Sequence, residues 1–210
     1  YLSACHSMIR SIEMTKDQLI AFEKRVADAF ANKQIRGPVH LSGGNEDQLL
    51  EIFKDIHPED WLVTFYRNHY HALLHGIPEE KLFKAICDGH SMTLQFPEHR
   101  FFSTAIVGGQ LPIAVGIAAA LKRKDCERKV WCFLGDMAST IGAFREAQNY
   151  AFAQSLFHLR FIVEDNGLSC NTPTEKAWGQ NMVRPSDAFV IYYKYERKHP
   201  HVGIDRWVNF

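Results

Sequence analysis

The sequence predicts an α/β fold with a mainly parallel sheet flanked by helices. Two apolar runs that end in polar residues, 129–134 and 159–164, are typical of buried strands. A helical pattern over 141–155 lies between them. Its residues expected to face inward are Phe144, Ala147 and Ala151. Strand, helix and strand within about 35 residues form a βαβ unit, whose two strands run parallel.

The other elements follow in order along the chain. Thr15 and Gln18 form a capping-box signature, and apolar residues at helical spacing behind it predict a helix over 16–31. A second helix is expected at 45–56, and WLVTFYR reads as strand or extended chain. IPEEKLFKAI begins with a proline and two acids, which suit a helix N-terminus. Residues 111–123 predict a buried, alanine-rich helix, and VIYYK predicts a last strand.

Composition narrows the class of protein. Lys and Arg number 24, as do Asp and Glu, so net charge favours neither nucleic acid nor a membrane surface as a partner. The most apolar segment, 105–121, is interrupted by polar residues, glycines and a proline, so it predicts no membrane span. Five scattered cysteines without a CxxC pair indicate free thiols in a reducing compartment, the cytoplasm or an organelle matrix. We expect one domain over 1–210, with a helical segment at about 1–60 and an α/β core at about 61–210.

Polar side chains follow both strands of the βαβ unit. Asp136 comes after the first strand, and Asp165 and Asn166 come after the second. Because parallel neighbours lie about 4.8 Å apart, these side chains can converge on one ion. One carboxylate, one amide oxygen and a backbone carbonyl suit magnesium that takes its other ligands from substrate phosphates. Gly135 leaves room for the phosphate, which the amides opening the next helix would favour.

Other interpretations of these residues remain open at this point. Asp136 also fits a helix cap, and Asn166 fits the start of a turn. A nicotinamide-binding sheet is disfavoured, because GDMASTIG does not match the G-x-G-x-x-G pattern. Three histidines have a periodic spacing that fits a solvated helix face, so they are left out of the predicted site. They are His69, His71 and His75.

Several segments together resemble a known family. GD at 135–136 and DN at 165–166 resemble the thiamine diphosphate motif, which is GDG followed by NN. Four further segments, in order along the chain, are similar to the alpha subunit of the first component of 2-oxo-acid dehydrogenase complexes. They are IRGPVHLSGGNED, YRNHYHALLHG, AIVGGQLPIAVGIAAAL and YERKHPH. The chain is identified as a compact, divergent member, and the resemblance implies a three-layer thiamine diphosphate-binding fold.

The resemblance also implies roles for individual residues. Magnesium would be held by Asp136, Asn166 and the carbonyl of Leu168. The diphosphate would be bound by Tyr66, Arg67 and Arg197 and by the backbone near Met137 and Ala138, and the aminopyrimidine by the backbone at Ala105 and Val107. His40 and His201 are the residues expected to transfer protons or stabilise charge, and His201 also lines the cofactor channel. Without the resemblance, His40 would read as a capping or core residue.

The resemblance implies partners as well. In this family the glutamate that activates the cofactor comes from a separate beta subunit, so we expect a heterodimer or heterotetramer. A lipoyl-bearing acyltransferase is the further partner of such enzymes, which decarboxylate a 2-oxo acid and pass on the acyl or aldehyde fragment. A transketolase-like carboligase or ketol transferase subunit is an alternative, and a non-catalytic scaffold that retains the fold is another.

The sequence departs from the family pattern at several positions. Met137 replaces the second glycine of GDG, Asp165 replaces the first asparagine of NN, and Ile141 replaces a polar residue. GGSMH appears as DGHSMT at 88–93, and only GQNMVRPSDAF stands where relatives carry a further strand and helix. The substitutions at Met137, Asp165 and Ile141 are the main support for the scaffold alternative.

Overall fold

A computed structural model of the chain describes residues 10–179 and 189–204. Residues 1–9, which open the predicted helical segment, and 180–188, within GQNMVRPSDAF, lie outside the described residues. The helices are α1 Lys16–Ala31, α2 Glu46–Ile52, α3 His69–Leu74, α4 Glu79–Ala85, α5 Gln110–Arg123, α6 Gly142–Ala153 and α7 Thr174–Trp178. The strands are β1 Trp61–Thr64, β2 Gln95–Phe96, β3 Phe101–Ser103, β4 Val130–Gly135, β5 Leu159–Asp165, β6 Leu168–Ser169, β7 Thr172–Pro173 and β8 Val190–Lys194.

A six-stranded sheet in the order β2-β3-β1-β4-β5-β8 forms the middle layer. All neighbouring pairs from β3 to β8 are parallel, and only the short β2 runs antiparallel to β3. The predicted parallel pairing of 129–134 with 159–164 is confirmed, with Cys132 opposite Phe161 and Leu134 opposite Val163. The mainly parallel sheet predicted from the sequence is therefore correct.

The two faces of the sheet pack against different helices. Phe133 and Ile162 belong to the hydrophobic core that contains the buried residues of α1 to α4. Their neighbours along the strands, such as Leu134 and Val163, belong to a second core with α5 and α6. Successive strand residues point to opposite faces, so the chain buries both faces and forms three layers.

Of two predicted helices, α1 agrees with the prediction and α5 differs from it. In α1 the capping box is present, with the Gln18 amide donating to Thr15 Oγ1 over 3.3 Å. The expectation that α5 is buried is wrong for half of its surface. Leu111, Ala114 and Ala118 are buried, whereas Ile113 is 38% exposed. Helix α5 packs on one face of the sheet, so only the side that faces the sheet is buried by other residues of this chain.

The solvated-face interpretation of the three periodic histidines is also wrong. His69, His71 and His75 are all buried. His69 Nδ1 lies 3.0 Å from Glu23 Oε1, and His71 Nε2 lies 3.1 Å from Glu164 Oε1. Burial of these two imidazoles is possible because each has a carboxylate partner from another element. Within the described ranges, no helix is long and apolar enough to cross a membrane.

Candidate active site

One cavity of about 210 Å³ lies at the carboxyl edge of the parallel sheet. Every residue predicted for the site lines this cavity. They are His40, Tyr66, Arg67, Ala105, Val107, Asp136, Met137, Ala138, Asn166, Leu168, Arg197 and His201.

The topology explains this convergence. Tyr66 and Arg67 follow β1, and Asp136 follows β4. Asn166 follows β5, and Arg197 lies three residues beyond β8. Because these strands are parallel neighbours, the segments after them meet at the same edge of the sheet. Ala105 to Val107 follow β3 and form an exposed rim, with Val107 57% exposed.

Asp136 is a buried carboxylate, 2% exposed. Thr174, the first residue of α7, donates its hydroxyl hydrogen to Asp136 Oδ2. The pKa of Asp136 is raised to about 6. Burial is the main cause, the bond from Thr174 opposes the rise, and the nearby Asp165 adds to it. The ionised form of Asp136 is therefore costly here and would be stabilised by a cation.

Both polar side chains of the turn after β5, those of Asp165 and Asn166, accept hydrogen bonds. Asp165 Oδ1 accepts from the Gly167 amide over 2.8 Å, and its Oδ2 accepts from the Tyr192 hydroxyl. Asn166 Oδ1 accepts from the Leu168 amide over 3.0 Å. Asn166 thus does begin a turn, as one interpretation of the sequence held. A carbonyl oxygen has two lone pairs, so this bond leaves Asn166 Oδ1 able to accept once more.

The unusual residue after the acid, Met137, is accommodated without strain. Its backbone lies in the right-handed helical region at φ −65° and ψ −37°, where glycine has no advantage. Ile141 packs against Gly108, where an added Cβ would lie 2.4 Å from Ile141 Cδ1.

Two guanidinium groups line the cavity and are buried. Arg67 is 3% exposed and donates from Nη1 to the Leu41 carbonyl. Arg197 is 7% exposed and donates from Nη1 to the Cys170 carbonyl over 2.9 Å. Burial lowers the pKa of Arg197, and the charge of Arg67 lowers it further. Two cations that line the same cavity favour an anion between them.

Three aromatic rings form another part of the cavity wall. The ring of His40 lies 4.6 Å from Tyr66 and 4.7 Å from His201, between centroids. Burial and then Arg67 lower the pKa of both histidines, to about 3 for His40 and about 4 for His201. Both imidazoles are therefore neutral near pH 7. Their Nδ1 atoms are buried and have no hydrogen-bond partner among the residues that the structure describes.

Comparison with known proteins supplies the family. Residues 14–191 match the dehydrogenase E1 component family. The chain belongs to this family. Members of the dehydrogenase E1 component family use thiamine diphosphate.

Curated members of the E1 family resemble the chain at similar levels. It is 30% identical over 170 residues to the alpha subunit of acetoin:2,6-dichlorophenolindophenol oxidoreductase of Bacillus subtilis (strain 168), covering 76% of this chain and 51% of that one. It is 29% identical over 167 residues to the pyruvate dehydrogenase E1 component subunit alpha of Zymomonas mobilis, covering 74% and 47%. The corresponding subunit of Rickettsia bellii is 30% identical over 193 residues, covering 86% and 59%. The chain thus spans about half the length of the curated relatives it matches.

The residues present in this E1 chain fit a magnesium diphosphate. Asp136 is a buried carboxylate whose pKa is raised, chiefly by burial. Arg67 and Arg197 are buried cations that repel each other across the same cavity. A metal ion would stabilise the ionised form of the buried Asp136, and the diphosphate bound to it would offset the repulsion between the two arginines. No group of three or more His, Cys, Asp and Glu suited to a metal occurs in the described part of the chain, so ligands from the diphosphate would be needed.

Sequence reasoning missed several residues at this E1 site. Thr174, which contacts Asp136, belongs to no motif. Further lining residues that it missed include Phe65, Met92, Gly108, Gln110, Ser169 and Cys170. Glu23 carried a usable signal, because it lies on the apolar face of α1 together with Leu19 and Val26, where a charged residue needs a partner.

Proposed function

We propose that this chain is the alpha-type subunit of an enzyme that uses thiamine diphosphate and magnesium to decarboxylate a 2-oxo acid and pass on the acyl or aldehyde fragment. The observation that carries the proposal is a single cavity lined by one buried carboxylate and two buried guanidinium groups. It lies at the carboxyl edge of a parallel sheet in a chain of the E1 family. Opposite charges of this kind are what a metal diphosphate needs.

The metal would be held by Asp136, Asn166 and the Leu168 carbonyl. All three line the cavity, and all offer oxygen, which magnesium prefers. Thr174 fixes one oxygen of Asp136 through its hydroxyl. That bond would leave the other carboxylate oxygen to the metal.

The diphosphate would be bound by Arg67, Arg197 and the Tyr66 hydroxyl, together with amides near Met137 and Ala138. A guanidinium offers several donors in one plane, which suits phosphate oxygens. Burial raises the pKa of Tyr66, so its hydroxyl keeps its hydrogen near neutral pH. The exposed backbone from Ala105 to Val107 would bind the aminopyrimidine at the rim.

His40 and His201 would act on the substrate. When bound, thiamine diphosphate supplies the electron sink for decarboxylation. The lowered pKa values of both histidines keep the imidazoles neutral, so each ring has one donor and one acceptor near pH 7. They can donate a hydrogen bond to the substrate carboxylate or carbonyl, or hold a proton for transfer, without adding a fixed positive charge.

A beta subunit would complete the site. Among the cavity's lining residues in the described ranges, Asp136 is the only acid, and it is assigned to the metal. The activating glutamate would come from the partner. The cavity volume of about 210 Å³ is below the roughly 300–1,000 Å³ typical of small-molecule sites. This small volume is consistent with a site of which the beta subunit forms a part. A lipoyl-bearing acyltransferase would accept the acyl group.

Calorimetry and turnover test this proposal on the full-length chain together with its beta subunit. Thiamine diphosphate should bind when magnesium is present and should not bind when a chelator removes it. The complex should then reduce an artificial electron acceptor when given a 2-oxo acid. Transfer to an aldehyde acceptor without any such reduction would favour a carboligase, and no cofactor binding under either condition would contradict the proposal.

A further inference from the structure

One peptide unit near the cavity is held from both sides by charged side chains. The Leu41 carbonyl accepts a hydrogen bond from Arg67 Nη1. The next amide, of Ser42, donates to Glu23 Oε1 over 2.9 Å. This carbonyl and this amide belong to the same planar peptide, so their directions cannot change independently. Glu23 and Arg67 therefore act on opposite ends of one rigid dipole.

Glu23 is well placed to hold this peptide firmly. It lies on α1, is 1% exposed, and its carboxylate also accepts from His69 Nδ1. A carboxylate has only acceptors, so Nδ1 carries the hydrogen, and the ring's Nε2 lies 2.9 Å from Ser91 Oγ. The carboxylate is thus fixed by two donors from two different segments. Charge-assisted hydrogen bonds of this kind are stronger than neutral ones.

The geometry points to Glu23 as a positioning residue that orients the guanidinium of Arg67 toward the diphosphate through the Leu41–Ser42 peptide. This inference rests on the proposed function for the identity of the anion. The negative charge of Glu23 is at the amide end of the peptide, and the positive charge of Arg67 is at the carbonyl end, so each charge strengthens the other's hydrogen bond. Without Glu23, the peptide could rotate and Arg67 would lose its fixed acceptor.

A double-mutant cycle tests this inference on the full-length chain with its beta subunit. The variants are Glu23→Ala, Arg67→Met and the pair, titrated with thiamine diphosphate and separately with inorganic diphosphate, both with magnesium. We expect Arg67→Met to weaken binding about 10- to 100-fold and Glu23→Ala to weaken it about 10-fold. Because Glu23 acts through Arg67, the pair should bind within about twofold of Arg67→Met alone.

Glu23→Gln provides a conservative rescue. Its amide oxygen can still accept from the Ser42 amide, so it should bind within about threefold of the unmodified protein. If Glu23→Ala does not fold, the cycle is run with Glu23→Asp, whose carboxylate is one methylene short of Ser42.

Asp60→Asn is the matched control, because Asp60 is also buried and accepts from the amides of His57 and Lys129 outside the cavity. It should leave diphosphate affinity unchanged even if the protein becomes less stable.

The outcomes separate this inference from the proposed function. Losses that multiply in the double variant, or no loss when Glu23 is changed, would overturn the positioning role. Binding of inorganic diphosphate without binding of thiamine diphosphate would contradict the proposed function, while the coupling measured with inorganic diphosphate still decides the role of Glu23. If the unmodified protein binds neither ligand, both proposals are overturned.

Discussion

Thr174 donates its hydroxyl hydrogen to Asp136 Oδ2, although the two residues lie 38 positions apart. Asp136 follows β4, and Thr174 follows the small β6–β7 hairpin beyond β5. This bond partly opposes the rise in the pKa of Asp136 that burial causes. It links the acid at one strand end to the turn that carries Asn166.

Replacing Thr174 should weaken metal binding. Thr174→Val keeps the shape of the side chain but removes the donor, so Asp136 loses a hydrogen bond that favours its ionised form. We expect magnesium-dependent affinity for thiamine diphosphate to fall about 10-fold in calorimetry. Thr172→Val, at an exposed position of the same hairpin, is the control. Equal affinities for the two variants would show that the bond does not matter for the metal.

Removing the charge of Asp136 should stabilise the cofactor-free protein at neutral pH. Its folded-state pKa of about 6 is above the ordinary value of 3.8, so folding favours the protonated form. The loss of stability caused by ionised Asp136 is absent below the pKa of the unfolded state. It is fully present above the pKa of the folded state. Asp136→Asn should therefore be more stable than the unmodified chain above about pH 6, by up to about 3 kcal/mol, and should gain little near about pH 4. Denaturant unfolding at several pH values measures the difference, and a constant difference across this range would contradict it.

His75 should make the protein sensitive to acid. Burial, and then the charge of Arg10, lower the pKa of His75 to about 4. A histidine with a lowered pKa binds its proton more readily when unfolded, so stability falls as the pH drops from about 6.5 to about 4, by up to about 3 kcal/mol. His75→Leu should reduce the acid-dependent loss, which His40 and His201 also share. His90→Leu, at an exposed site, is the matched control. A pH profile for His75→Leu identical to that of the unmodified protein would contradict this prediction.

Replacing either of two glycines by alanine should change the unfolding free energy in opposite directions. Gly108 has φ +77°, and a Cβ there would lie 2.4 Å from Ile141 Cδ1. Gly108→Ala should cost about 1–3 kcal/mol of unfolding free energy, and Ile141→Ala should recover the part that arises from the clash. Gly116 lies inside α5 with open space around it, so Gly116→Ala should add about 0.5–1 kcal/mol. Thermal unfolding of both variants checks the contrast, and a stabilising change at Gly108 would disagree with it.

The sheet and the strand-end residues could be predicted because their signals are local. The apolar runs at 129–134 and 159–164 and the helix between them define one parallel unit, and its geometry places Asp136 and Asn166 at one edge. The positions of Tyr66 and Arg197 came from a resemblance to known proteins, since nothing in the short segments around them specifies that edge. The structure then brings all of these residues to one cavity.

The buried polar networks could not be predicted, because their partners are distant in the chain. His69 pairs with Glu23 across 46 positions, and His71 pairs with Glu164 across 93. The spacing of the histidines fits an inward face and an outward face of a helix equally well. Only the partner carboxylates decide between the two, and the tertiary fold supplies them.

The substitution Asp136→Ala tests most directly the central claim, that Asp136 holds the magnesium ion of a thiamine diphosphate site. Titration calorimetry should compare the full-length protein, with its beta subunit, to Asp136→Ala and to Asp55→Ala, which changes an exposed acid. The account predicts that thiamine diphosphate binds the unmodified protein and Asp55→Ala only when magnesium is present, and that Asp136→Ala loses this binding. Unchanged, magnesium-dependent binding in Asp136→Ala would contradict it.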